Sequence, residues 1–241
     1  MLSLTPDDPL AVAVTSAIRS GDIDALSCLL SANPGLATVR IGTRTLLHVV
    51  ADWPGHFPNG AAVVNTLIAA GADPNARHTG RGAPETPLHW AASSDDVQVL
   101  DALIDGGADI EAPEGSIGGG TPLDDAVGYG QWQAARRLVA RGARVYRLWH
   151  AAALGMQSLV QEHFAAPPTP TPDDISVAFW QACHGGQREA AEYLLRRGAD
   201  LNWVPPWAKG RPLDIAERSG NTDLLEWLRS QGAKSADSAK S

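Results

Sequence analysis

From Thr86 to Asp109 the chain reads T-P-L-H-W-A-A-S-S-D-D-V-Q-V-L-D-A-L-I-D-G-G-A-D, and its apolar and polar positions specify two short helices. Thr86 is placed to cap the first, because a hydroxyl accepts from the orphan N–H groups of a helix start and Pro87 gives up no donor needed there. That helix runs through Ala91 and Ala92, whose small side chains let a neighbour come close. The polar run Ser93-Ser94-Asp95 breaks it, and a second helix starts near Asp96. Along the second, Val97, Leu100, Leu103 and Ile104 recur at three- and four-residue steps as one apolar stripe, until Gly106-Gly107 end it where positive φ is easiest. Helices this short are unstable alone, so the pattern calls for neighbours to cover the stripe.

The same marks recur. Copies of the opening motif begin at Thr45 (T-L-L-H-V-V-A), Thr121 (T-P-L-D-D-A-V) and Arg211 (R-P-L-D-I-A-E), with looser ones at Tyr146 (Y-R-L-W-H-A-A) and Val177 (V-A-F-W-Q-A-C). Closing G-A pairs sit at Gly71, Gly107, Gly142, Gly198 and Gly232. Thr86-Pro87-Leu88-His89-Trp90-Ala91 matches T-P-L-H-x-A letter for letter, and with Gly107-Ala108-Asp109 the unit resembles the ankyrin repeat. The resemblance spans nearly the whole chain. It implies an all-α, ankyrin-repeat solenoid of about six helix-turn-helix repeats with β-hairpin fingers. The expected array is single, over residues 1–233, with a capping pair at 9–35, repeats from about 45, 86, 121, 146, 177 and 211, and a disordered tail at 234–241. The double-length interval between Gly142 and Gly198 hides a repeat ending in the Pro-rich run Ala165 to Pro172, which cannot be helical.

Several stretches depart from the pattern. Asp52-Trp53-Pro54-Gly55-His56-Phe57-Pro58 stands between two helices where the central unit needs only Ser93-Ser94. Its Trp53, His56 and Phe57 are too apolar for a loop that stays in solvent, so it packs somewhere or forms the rim of a binding site. The fingers from Asp73 to Thr86 and from Asp109 to Thr121 are long, and the glycines at 115 and 118–120 follow no strand and lack a Lys-Ser/Thr tail, so they read as finger geometry rather than a phosphate cradle. The formal net charge is −8, which supplies no basic field for nucleic acid or anionic lipid. No run approaches ~18 apolar residues and the N-terminus is not built like a signal peptide, which leads to the expectation of a cytoplasmic protein without a membrane span. Cys28 and Cys183, the two cysteines, read as reduced core residues without metal-ligand spacing.

His48 and His89 occupy the H of the motif, a position that in the resembled family braces the turn. At that position later copies carry Asp124, Trp149 and Trp180, so the brace is expected to lapse in mid-array. Tryptophan is the odd feature, with eight against three tyrosines and three phenylalanines. Trp132 and Trp227 fall on second-helix stripes and read as core. Trp53, Trp90, Trp149, Trp180, Trp203 and Trp207 fall on first helices, the insertion or a finger, the parts that line the inner face of ankyrin arrays. Together with His56, Phe57, Asp125, His150 and His184 they form the candidate binding set. Anchoring rings on a repeat array point first to a protein-interaction scaffold and a protein partner. The alternative is a small-molecule binder or enzyme whose pocket of tryptophan, histidine and aspartate shifts pKa values. No catalytic fingerprint occurs, and no catalytic residue, metal site or cofactor is expected.

Overall fold

The computed structural model describes residues 3–165 and 167–236, and they form two compact units, Met1–Arg144 and Val145–Ser241. In unit 1, β1 (Ser3–Leu4) precedes the helix pair α1 (Pro9–Ser20) and α2 (Ile23–Ala32), and β2 (Arg40–Ile41) and β3 (Arg44–Thr45) lead into α3 (Leu46–Ala51) and α4 (Gly60–Ala69). Two further pairs follow: α5 (Pro87–Ser93) with α6 (Val97–Asp105), and α7 (Pro122–Tyr129) with α8 (Trp132–Ala140). First helices stack on first helices, α1 on α3 on α5 on α7, and second on second, α2 on α4 on α6 on α8. In unit 2 the pairs are α9 (Leu148–Ala153) with α10 (Gln157–Glu162), α11 (Pro172–His184) with α12 (Arg188–Arg196), and α13 (Pro212–Ser219) with α14 (Thr222–Ser230). There α11 lies between α9 and α13, and Phe179, Leu194, Leu224 and Leu228 fill the core.

Strands among the described residues are confined to one small sheet, in which β1 runs parallel to β2 and β2 antiparallel to β3. The next two fingers of unit 1 turn back on themselves without ladders: the amide of His78 donates to Glu85 O at 2.8 Å, and that of Gly115 to Gly120 O at 2.8 Å. The beginning of the C-terminal tail is tied down, with Lys234 N donating to Asn202 Oδ1 at 2.7 Å. Residues 237–241 of the expected disordered tail, and Ala166 of the Pro-rich run, lie outside the described residues.

Five of the first helices, α3, α5, α7, α11 and α13, open on a reciprocal brace. Thr45 Oγ1–H donates to His48 Nδ1 at 2.8 Å and Thr86 Oγ1–H to His89 Nδ1 at 2.9 Å, so each ring proton sits on Nε2. From there His48 donates to Glu85 O at 3.1 Å and His89 to Gly120 O at 3.4 Å, joining each helix start to the finger that follows. The sequence led one to expect the brace to lapse in mid-array, and it does so at α9, which carries Trp149 and opens without such a pair, but not at α7. Asp124 Oδ2 accepts from both Thr121 N and Thr121 Oγ1 at 2.8 Å, since a carboxylate accepts where the imidazole did. In the next such pair Asp174 plays the same part for Thr171, because α11 opens at Pro172 rather than near 177 and takes its cap from the end of the Pro-rich run. Trp180 therefore sits well inside that helix, at no brace position.

The expectation of two core cysteines is corrected for Cys28, which is exposed because its side chain leaves the α2 stripe. Cys183 is buried, and burial pushes its thiol up.

The insertion at 52–58 is held down by the following repeat. Asp96, 3 % exposed, caps α6 by accepting from Val99 N at 3.2 Å and accepts from the amide of His56 at 2.6 Å. His56 adopts φ 57° there and its Nε2 donates to Ser94 O at 3.1 Å. Replacing Asp96 with Ala removes a cap and orphans a loop amide together. Urea titration should show a loss of about 2 kcal/mol, with faster hydrogen exchange at His56 N.

Candidate functional site

Three successive repeats of unit 1 meet around a groove of about 430 Å³. Ala51, Asp52 and Trp53 come from the end of α3 and the insertion, Glu85, Trp90, Ser93 and Ser94 from the second finger, α5 and its end, and Ser116, Tyr129 and Gln131 from the third finger, α7 and the cap of α8. Trp53 is 78 % exposed although its loop is pinned at His56, so it presents an apolar ring to water at the rim. Trp90 is half-buried, with its ring edge-on to His48 at 4.9 Å and against His78 at 5.4 Å, and Nε1 donates to Glu85 Oε2 at 2.9 Å.

Glu85 and Asp125 organise the wall facing Trp90. Glu85 Oε1 accepts from Ser116 N at 3.1 Å, while Asp125 Oδ1 accepts from Ile117 N at 2.8 Å and from Ser116 Oγ at 3.2 Å. Tyr129 OH lies 3.0 Å from the same hydroxyl. Gly115 closes over Asp125: a Cβ there would lie 2.8 Å from Oδ2 and 2.7 Å from the ring of His89, which is why the third finger needs glycine at that point. Asp125 has no exposed surface, and its carboxyl is pushed up to about 7 by burial and by the Glu85 carboxylate beside it, against the pull of the Ile117 amide. Oδ2, which meets no donor, is the atom suited to carry the proton.

The other sequence-predicted residues fall elsewhere. His56 spends its backbone amide and its ring on the pin described above, and Phe57 is half-buried beneath the guanidinium of Arg19 at 5.8 Å. In unit 2, His150 is fully buried with Trp149 edge-on at 4.1 Å. Trp180 is buried and donates from Nε1 to Gly210 O at 2.9 Å, with His184 alongside at 5.2 Å. Burial, with some repulsion from Arg218, holds His184 down at about 4. Trp203 and Trp207 meet edge-to-face at 5.6 Å on a finger, the first half-buried against the core and the second 60 % exposed. The rings thus serve different places: Trp53 and Trp90 share the groove of unit 1, and those of unit 2 divide between helix packing and a finger.

Glu85 and Tyr129 are groove residues that the sequence reading left out of the candidate set, Glu85 having been read as finger. Tyr129 carried a usable signal, since it follows Asp125 by one helical turn on α7 and so shares its face. Glu85 carried none, because its role depends on the third finger returning over it. Among the described residues no group of three or more His, Cys, Asp or Glu side chains is placed to hold a metal ion, and no helix is long and apolar enough to cross a membrane.

Paired helices stacked in register, with braced starts and turn-built fingers, define a helical repeat protein. Residues 47–147 match the family model for ankyrin repeats in three copies. A curated relative, the ankyrin repeat and KH domain-containing protein mask-1 of Caenorhabditis elegans, is 26 % identical over 180 residues, which is 72 % of this chain. The chain spans only 7 % of that relative's length. The crystal structure of the human ASB11 ankyrin repeat domain superposes with a TM-score of 0.54 at 20 % identity, covering 92 % of this chain and 97 % of that one, a likeness of fold. Residues 47–147 thus carry ankyrin repeats, and the chain has the fold of an ankyrin-repeat domain.

Linkage sets the sign of the pH response. Asp125, raised from 3.8 to about 7, contributes stability that is complete below its ordinary range and is lost as pH rises through about 7. His48 and His184, lowered to about 3 and about 4, contribute stability present above the ordinary histidine range and lost on acidification, as does the lowered His89. Asp125→Asn copies the protonated carboxyl: its Oδ1 still accepts from Ile117 and Ser116, and its amide stands where the proton was. In thermal melts the variant should match the native protein below about pH 4, gain on it progressively between about pH 4 and about pH 7, and gain no more above that. A difference that stays flat across that range would show that Asp125 holds no proton.

Proposed function

We propose that this protein is an interaction scaffold whose partner docks through the concave groove of unit 1 and the fingers beside it. Ankyrin repeats generally serve as protein–protein interaction modules, which supports the coarse assignment. The finer one is carried by Trp53. A loop that could have been two polar residues instead holds an indole in water at the mouth of a groove, anchored by Asp96 and His56. An exposed aromatic on a held loop leaves less backbone to order on contact and is a residue type often dominant in protein interfaces. Trp90 and Tyr129 extend the apolar surface inward, and Ser93, Ser94, Ser116 and Gln131 give it a polar rim. The mechanism is presentation of a fixed surface.

A small-molecule binder or enzyme is the second reading, favoured by a groove volume within the usual range for ligand sites and by the Glu85–Asp125 carboxyl pair. Against it, the bonds made by both carboxylates hold the third finger, and Asp125 lies sealed beneath Ser116 and Gly115.

Selection of short peptides against the folded chain tests the first reading. Binders should lose more than tenfold in affinity with Trp53→Ala and little with Trp207→Ala, while the melting temperature of Trp53→Ala stays that of the native protein. Equal affinities for native and Trp53→Ala protein would remove the groove as the docking surface. A small molecule retained by the purified protein in native mass spectrometry, and displaced by nothing peptidic, would favour the second reading.

A further inference from the structure

The charge of the groove narrows what can occupy it. Its lining contains Asp52 and Glu85 and no lysine, arginine or histidine. Asp52 is neutralised from outside, since its Oδ2 takes Arg44 at 2.7 Å and Arg19 at 3.2 Å. Among the described residues no cation pairs with Glu85: its oxygens accept from an indole N–H and a backbone amide, both uncharged, which orient the carboxylate and leave its charge in place. Each oxygen keeps capacity for a further donor. The same groove is lined by the rings of Trp53, Trp90 and Tyr129, whose π faces attract cations. Asp125 lies directly beneath the wall.

Resting on the docking reading above, we infer that the groove is a recognition site for a cationic side chain, a lysine or arginine presented by a peptide segment of the partner, with Glu85 as its counter-charge and Trp53, Trp90 and Tyr129 as its aromatic walls. A long aliphatic stem ending in a positive head suits a groove that is aromatic along its sides and anionic at one wall. The chain's net charge of −8 favours approach of such a segment. A neutral or acidic segment would leave the charge of Glu85 uncompensated as water is displaced.

A second carboxylate beneath the same wall ties recognition to pH. The groups facing Asp125 are Glu85 from the second finger, His89 of α5, and Tyr129 on its own helix. His89 is held neutral by burial, and the Arg77 that acts on it is occupied by the carbonyls of Pro84 and Pro113 and by Glu114. Asp125, with its carboxyl near 7, adds negative charge behind the groove as pH rises through neutrality.

The test uses the full chain and the peptides selected above, each resynthesised with citrulline for arginine or norleucine for lysine. Loss of the positive charge should weaken binding to the native protein about tenfold. Glu85→Gln should weaken the charged peptide similarly and leave the neutral analogue unchanged, a double-mutant cycle that a merely structural role of Glu85 would not produce. Binding of the charged peptide should tighten between about pH 6 and about pH 8 in the native protein and lose that dependence in Asp125→Asn. Peptides sensitive to Trp53→Ala but indifferent to their own charge and to Glu85→Gln would overturn this inference and leave the docking surface standing. Peptides indifferent to Trp53→Ala, or no peptides at all, would overturn both.

Discussion

Helices of six to thirteen residues cannot hold themselves together in water, and everything in this molecule follows from how that instability is met. Five of the seven first helices start on a side chain that reaches back to its own cap, imidazole in two repeats and carboxylate in three others. The brace satisfies amides that would otherwise be stranded. Because the imidazoles have a second nitrogen, the same group also reaches the next finger, so that ending one repeat and starting another become a single hydrogen-bonded event. Burial keeps these rings neutral, and neutrality is required, since an imidazolium could not accept from the threonine that orients it.

Carboxylates perform a related task for the irregular loops. Asp96 caps α6 and holds the inserted loop, Asp125 holds the glycine-rich finger, and Asp95 accepts from Ala134 N at 2.7 Å in the next repeat. A long loop is entropically expensive to fix, and a buried acceptor for its amides offsets that cost. At Asp125 the crowding goes further, since a second carboxylate stands alongside and the pair is least unfavourable with one proton between them. The loops so held bring Trp53 and Ser116 to the groove, which makes its shape a property of loop anchoring more than of helix packing.

The two units divide their aromatic residues differently, which explains why equal-looking tryptophans have unequal roles. Trp180 satisfies its N–H on a finger carbonyl and is lost to solvent, whereas Trp90 satisfies its own on a carboxylate and stays partly open. The choice depends on what the following finger offers, carbonyl or Glu85.

The sequence alone determined the repeat, its helix pairs and their caps, because these rest on contacts within a few residues: Thr86 with His89, the stripe from Val97 to Ile104, the glycines at the ends. It also marked Trp53, Trp90 and Asp125 as out of the ordinary. It misplaced the start of α11, since T-P-D-D at 171–174 keeps the cap chemistry but not the Leu and His by which the motif was followed. Only the tertiary structure decided that His56 is a pin, that Cys28 faces water, and that Glu85 and Tyr129 complete a groove with Trp53. Those facts depend on residues some thirty to forty apart along the chain meeting as one repeat settles on the next, as in the links of Ser116 to Glu85 and His56 to Asp96. The local pattern specifies that repeats must stack, and carries no record of which loop residue each neighbour will meet.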